Sequence, residues 1–90
     1  MIRSFKNRRT EDFANGERVA KFQAFAPIAR RKLVMIEAAV EVYDLASPPG
    51  NRLEKLGGTE TWSIRINDQW RICFKWKDNA AEEVEITDYH

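Results

Sequence analysis

Along residues 62–77 apolar and polar side chains alternate almost without a break. Trp62, Ile64 and Ile66 alternate with Ser63, Arg65 and Asn67, and Trp70, Ile72, Phe74 and Trp76 alternate with Arg71, Cys73, Lys75 and Lys77. A period of two sends neighbouring side chains to opposite faces of a sheet, so the pattern predicts strands over 62–67 and 70–76. The turn-prone Asn67-Asp68-Gln69 joins them as a hairpin. A further strand is expected over 82–87 with Val84 and Ile86 turned inward, a short one over 2–5, and an extended segment over 52–56. One face of the sheet is then apolar and aromatic, and the other carries arginine, lysine and small polar groups.

Two stretches follow helical spacing instead. Residues 8–15 read as a short helix closed by Gly16, with Phe13 pointing inward. A longer helix starts near Pro27 and runs to about Asp44 or Leu45. Ala29, Leu33, Ile36, Val40 and Tyr43 form its apolar stripe, with Arg30, Glu37, Glu41 and Asp44 largely off it. Between the helices, residues 17–26 read as a loop with a helical turn. Ser47-Pro48-Pro49-Gly50-Asn51 stops the second helix. The order β-α-α-β-β-β predicts an α+β fold: two N-terminal helices packed on one face of a mainly antiparallel sheet.

The chain of 90 residues is long enough for a single compact domain, 1–90. No apolar run approaches the ~20 residues of a membrane helix, and the start has no secretory leader's apolar core. The lone Cys73 lies in no metal-ligand spacing and has no internal disulfide partner, so the expectation is a reducing cytoplasm. The net charge of +1 conceals an asymmetry. Residues 1–32 hold nine Lys or Arg against three acids, and residues 33–90 hold six against eleven. A basic half suits a polyanionic partner, and an acidic half suits a second, different surface.

Arg65 and Arg71 fall on adjacent strands of the polar face, with Lys75 further along. Paired guanidinium groups fit the oxygens of one phosphate, although exposed strand cations also serve solubility and edge protection. His90 is the only histidine and the last residue; its imidazole suits proton transfer, while a chain end often frays. Tyr89 is either a core or a base-stacking aromatic. Glu54, between Arg52 and Lys55, is either half of a surface ion pair or a general base among phosphate-binding groups. The tryptophans fit the helix-covered face, and Cys73 fits a small buried filler.

MIRSF at the start, SPPGNRLEKL in the middle, WSIRINDQWRICF in the hairpin and the closing DYH together resemble the HigB-like toxins of the RelE/ParE superfamily. The resemblance spans the whole chain. It implies a RelE-like fold and a bacterial type II toxin–antitoxin system, with a helix-turn-helix HigA-like antitoxin as partner. The implied activity is ribosome-dependent endonucleolytic cleavage of mRNA on the 70S ribosome. No metal, cofactor or membrane is implied, and operator DNA is met only through the antitoxin. The ribose 2′-OH attacks the neighbouring phosphorus, which requires a base, an acid and cations for the growing charge. Carried over by position, Arg71 stabilises the transition state. Asp88, Tyr89 and His90 form the terminal motif, with His90 transferring a proton and Tyr89 stacking on a base or orienting the phosphate. Glu54 joins the catalytic candidates; Arg65, Lys55, Lys75 and Arg52 are candidates to bind substrate. The chain departs from some members, which carry histidine where it has Glu54 and lysine where it has Gly57; a weaker nuclease is one consequence. Two other readings stand beside this one: a catalytically weak antitoxin-binding co-repressor, and a gyrase-directed toxin of the ParE type.

Overall fold

A computed structural model describes residues 1–88; Tyr89 and His90 lie outside the described residues. Two α-helices, α1 (Arg8–Ala14) and α2 (Ala26–Ala38), pack on a sheet of four antiparallel strands. These are β1 (Glu54–Lys55), β2 (Thr61–Arg65), β3 (Trp70–Lys77) and β4 (Ala80–Asp88), side by side in chain order. The expected α+β architecture is what forms. Among the described residues no helix is long and apolar enough to cross a membrane.

The alternation does what a period of two requires. Ile64, Ile72, Phe74, Val84 and Ile86 are buried from the sheet, against Phe13, Phe22, Leu33 and Ile36 from the helical side. Each such side chain contributes on the order of 1.5–3 kcal/mol when withdrawn from water. The hairpin is closed by Asn67, whose Oδ1 accepts from Gln69 N and Trp70 N at 2.9 and 2.8 Å. At the β3–β4 turn Asp78 and Asn79 both take positive φ, 52° and 60°, the pair of left-handed residues that a tight two-residue hairpin favours. β4 consequently starts at Ala80, two residues before the expected position.

The expected N-terminal strand is a looser element. Residues 1–6 lie parallel to β4 through bridges at Ile2–Ala81 and Phe5–Val84. The pairing is interrupted because Glu83 bulges out of β4 at φ 52°, its N–H donating to Ser4 Oγ at 2.9 Å. α1 forms where expected. Asn7 Oδ1 caps it by accepting from Thr10 N, and Gly16 takes φ 96° beyond its end.

Two helical expectations are corrected. Residues 20–25 form a 3-10 helix, whose repeat of three puts Phe22 and Phe25 on one side, both buried. Phe22 meets Phe13 edge to face at 5.3 Å, and Phe22 and Phe25 reach the Trp70 ring, at 5.8 and 5.1 Å. The second correction concerns α2, which stops at Ala38 instead of continuing to Asp44. The Asp44 carboxylate accepts from Val40 N and Glu41 N at 2.9 and 3.0 Å, holding them as the start of a separate 3-10 helix, Val42–Ala46. A short acidic side chain thus outcompetes helix continuation. Those two N–H groups also hold the Asp44 carboxyl below its usual range. Val40 and Tyr43 consequently leave the apolar stripe and are exposed, and Val42 and Leu45 enter the core instead.

Candidate functional site

The site is built where β1, β2 and β3 run side by side. The register pairs Glu54 with Ser63, Ser63 with Cys73, and Arg65 with Arg71. Directly opposed residues share a face, so Glu54, Ser63, Cys73, Arg65 and Arg71 all stand on the side away from the helices. Arg71 is not a freely waving strand cation. Its side chain is only 11% exposed. Nε donates to Ser63 Oγ at 2.9 Å, and Nη2 donates to the Arg52 carbonyl at 2.7 Å and more distantly to the Ser63 carbonyl at 3.4 Å. The Glu54 carboxylate lies 3.8 Å from Nη2 and is itself half exposed. The bonds of Arg71 to described residues run through Nε and Nη2.

Arg52 earns its place through its backbone. It takes the left-handed conformation, φ 46° and ψ 58°, after the turn Pro49–Asn51, and that bend presents its carbonyl to Arg71. Asn51, fully buried, holds the turn by donating from Nδ2 to Leu45 O at 3.1 Å and Ser47 O at 3.4 Å. The Pro-Pro-Gly-Asn stop signal is therefore also the device that orients the arginine.

Arg65 directly faces Arg71 across the hairpin. Ile66 N donates to Trp70 O at 2.9 Å, which makes Ile66–Trp70 a hydrogen-bonded pair and Arg65–Arg71 the closer, non-bonded kind. Like charges in that position repel. Arg65 is partly offset by an ion pair with Asp68, and Arg71 by the longer contact with Glu54. From beneath, α2 supplies a third cation: Lys32, buried, donates from Nζ to the Arg65 carbonyl at 2.5 Å. Burial, with the positive charges of Arg65, Arg31 and Arg71 after it, pushes the Lys32 pKa below its ordinary 10.5.

The structure thus brings together Arg71, Glu54, Arg65 and Arg52. It separates three others from them. Lys55 pairs with Trp62 across β1 and β2, on the opposite face, and its ammonium lies 5.8 Å from the Trp62 ring centre. Lys75 shares Arg71's strand but sits roughly 13 Å along it at the usual strand rise, ion-paired with Glu83 at 3.0 Å. Asp88 opposes Trp70, not Arg71, and accepts from Gln69 Nε2 at 2.8 Å. Alternation already contained that result: if Val84 and Ile86 face inward, so does residue 88. Tyr89 and His90 lie outside the described residues.

Two contributors were not visible as such in the sequence. Ser63 falls on the polar face by alternation, but nothing marks it as the acceptor that orients Arg71. Lys32 lies three residues after Ala29 and four before Ile36, a spacing that puts it on the buried stripe among apolar residues. Cys73 is the small buried residue expected, with its thiol pKa raised by burial. Among the described residues no group of three or more His, Cys, Asp or Glu side chains could hold a metal ion.

Comparison with known proteins follows the same direction. The family model for the RelE-like toxin of the type II toxin–antitoxin system HigB matches residues 3–90. Toxin HigB-1 of Vibrio cholerae is 49% identical over 53 residues, 57% of this chain and 56% of that protein. An uncharacterized protein of Haemophilus influenzae is 44% identical over 61 residues, 66% of this chain and 60% of its own length. The matched part therefore spans somewhat more than half of either relative. In shape, the chain is similar over its full length to one in the YoeB-YefM complex from Staphylococcus aureus. The TM-score is 0.60 at 19% identity, with 98% of that chain covered, a likeness of fold.

Proposed function

The chain belongs to the HigB-like family of RelE-like toxins of type II toxin–antitoxin systems, and we propose that it is an endoribonuclease that cuts mRNA on the translating ribosome. The observation that carries this reading is the Arg71 guanidinium, held by Ser63 and the Arg52 carbonyl beside the accessible Glu54 carboxylate. A donor fixed before substrate arrives stabilises developing charge without reorganising, the condition under which such groups accelerate reactions most.

The ribose 2′-OH attacks the adjacent phosphorus, forming the 2′-O–P bond as the P–O5′ bond breaks. The products are a 2′,3′-cyclic phosphate and a 5′-hydroxyl. Glu54 accepts the 2′ proton, Arg71 and Arg65 hold the charge growing on the phosphate oxygens, and His90 protonates the departing 5′ oxygen. Tyr89 orients the scissile nucleotide. Base, cation and acid are all protein side chains, and the ribosome supplies much of the positioning of the message. The cognate partner in this reading is a HigA-type helix-turn-helix antitoxin, and the site of action is the bacterial cytoplasm, where translation runs.

The test is cut-site mapping on translated and naked mRNA, with wild type and with Arg71→Ala checked for folding by its melting curve. Cleavage within codons of translated message only, lost in a folded Arg71→Ala variant, is expected. Equal cleavage of naked RNA, or undiminished toxicity of Arg71→Ala, would overturn the proposal.

A further inference from the structure

Lys32 is a costly residue in its position. Burying a lysine stem fixes several rotors, and desolvating its ammonium is unfavourable. Among the described residues, the charged groups acting on it are Arg65 on β2, Arg31 on its own helix and Arg71 on β3, every one a cation. Among the described residues, what it gains is one hydrogen bond, to the Arg65 carbonyl.

That carbonyl explains the need for a donor. Arg65 and Arg71 are a non-bonded pair, so the backbone groups of Arg65 point away from β3 toward the side where β1 would lie. β1 is two residues long, and its pairing reaches only Ser63. Among the described residues, the end of β2 that carries Arg65 has no strand beside it there, and the Lys32 ammonium takes the place of one. A neutral donor would satisfy a carbonyl as well. Placing a third positive charge behind two opposed arginines is unfavourable in the free protein and becomes favourable once an anion occupies the site.

We propose that Lys32 is a positioning residue for the arginine pair: it ties the end of β2 to α2, sets where Arg65 stands relative to Arg71, and adds its charge to the field met by the scissile phosphate. The inference rests on the nuclease reading of the site. It assigns to α2, otherwise scaffold, a part in the chemistry on the far side of the sheet.

The experiment follows cleavage of an mRNA carried on translating ribosomes by the full chain and by Lys32→Met, Lys32→Arg and Arg71→Ala, with a melting curve for each. Lys32→Met keeps the apolar stem and removes charge and donor. It is expected to lower the rate at saturating ribosome about tenfold, the scale of a small misplacement, with the half-saturating concentration little changed. Lys32→Arg restores charge and donor and is expected to recover most of the rate. Because Lys32 loses its proton at lower pH than an ordinary lysine, wild-type cleavage should fall on the alkaline side where Lys32→Arg stays level.

A Lys32→Met rate within about twofold of wild type beside an inactive Arg71→Ala would sink this inference alone. Normal cleavage by Arg71→Ala would sink the reading of the site and this inference with it. If Lys32→Met fails to fold, Lys32→Gln, which keeps a donor and drops the charge, decides: a rate within about twofold of wild type refutes the part assigned to the charge.

Discussion

β3 carries a cation near each end of its polar face, and the two ends have little else in common. Arg71 is almost enclosed, bonded to a buried serine and to a carbonyl turned toward it by a left-handed residue. Lys75, four residues on, is 44% exposed and paired with Glu83, a residue that reaches it through a bulge. Periodicity alone treats them as equivalents. The difference lies in what stands beside each: the β1 edge and the turn before it at one end, solvent and a half-exposed acidic side chain at the other. A strand cation becomes a candidate catalytic group when its neighbours fix its direction in advance.

The largest effect expected from breaking this contrast is Arg71→Ala, which should reduce mRNA cleavage by about 10²-fold or more, the usual cost of losing a preorganised charge donor. Single-turnover cleavage on programmed ribosomes measures it. Ser63→Ala removes only the acceptor for Arg71 Nε. It should cost about 1–3 kcal/mol in urea unfolding, because a buried donor loses its partner, and slow cleavage less than Arg71→Ala does.

The two lysines flanking this contrast should respond to pH with opposite signs. Lys32 has a folded pKa below 10.5, so between that value and 10.5 the unfolded chain binds the proton that the folded chain gives up. Stability therefore rises with pH across that window, and Lys32→Met should abolish the rise in chemical denaturation at several alkaline pH values. Lys75 has its pKa raised, first by the hydrogen bond to Glu83 and then by that residue's charge. Its contribution is fully present below 10.5 and is lost as pH climbs through the folded value, but solvent screening keeps it small. The smallest effect of all is thus Lys75→Ala, expected to leave cleavage within about twofold of wild type. A Lys75→Ala loss as large as that of Ser63→Ala would erase the distinction between the two ends.

Local pattern accounts for most of the architecture. The hairpin, the inward faces of β2 to β4, α1 with its asparagine cap and the start of α2 near Pro27 all follow from spacing and cap chemistry within a few residues. The end of α2 does not, because Val40 and Tyr43 have the right spacing to continue it and only the Asp44 side chain's choice of backbone N–H groups stops it. The 3-10 helix of residues 20–25 was equally ambiguous, since Phe22 and Phe25 acquire a reason to share a side only when Phe13 and Trp70 are present to receive them.

By itself, the order of residues determined the two faces of the sheet, the place of Arg65 and Arg71 on the face away from the helices, and the family to which the chain belongs. Those are consequences of a two-residue period and of motifs read in one dimension. Tertiary structure alone decided that Ser63, the Arg52 carbonyl and Glu54 converge on Arg71, that Lys55 and Lys75 stand apart from it, and that Lys32 supports β2 from beneath. The reason is register. Which residues meet across strands, and which carbonyl is left without a strand partner, depends on where β1 ends against β2. No periodicity within a single segment carries that information.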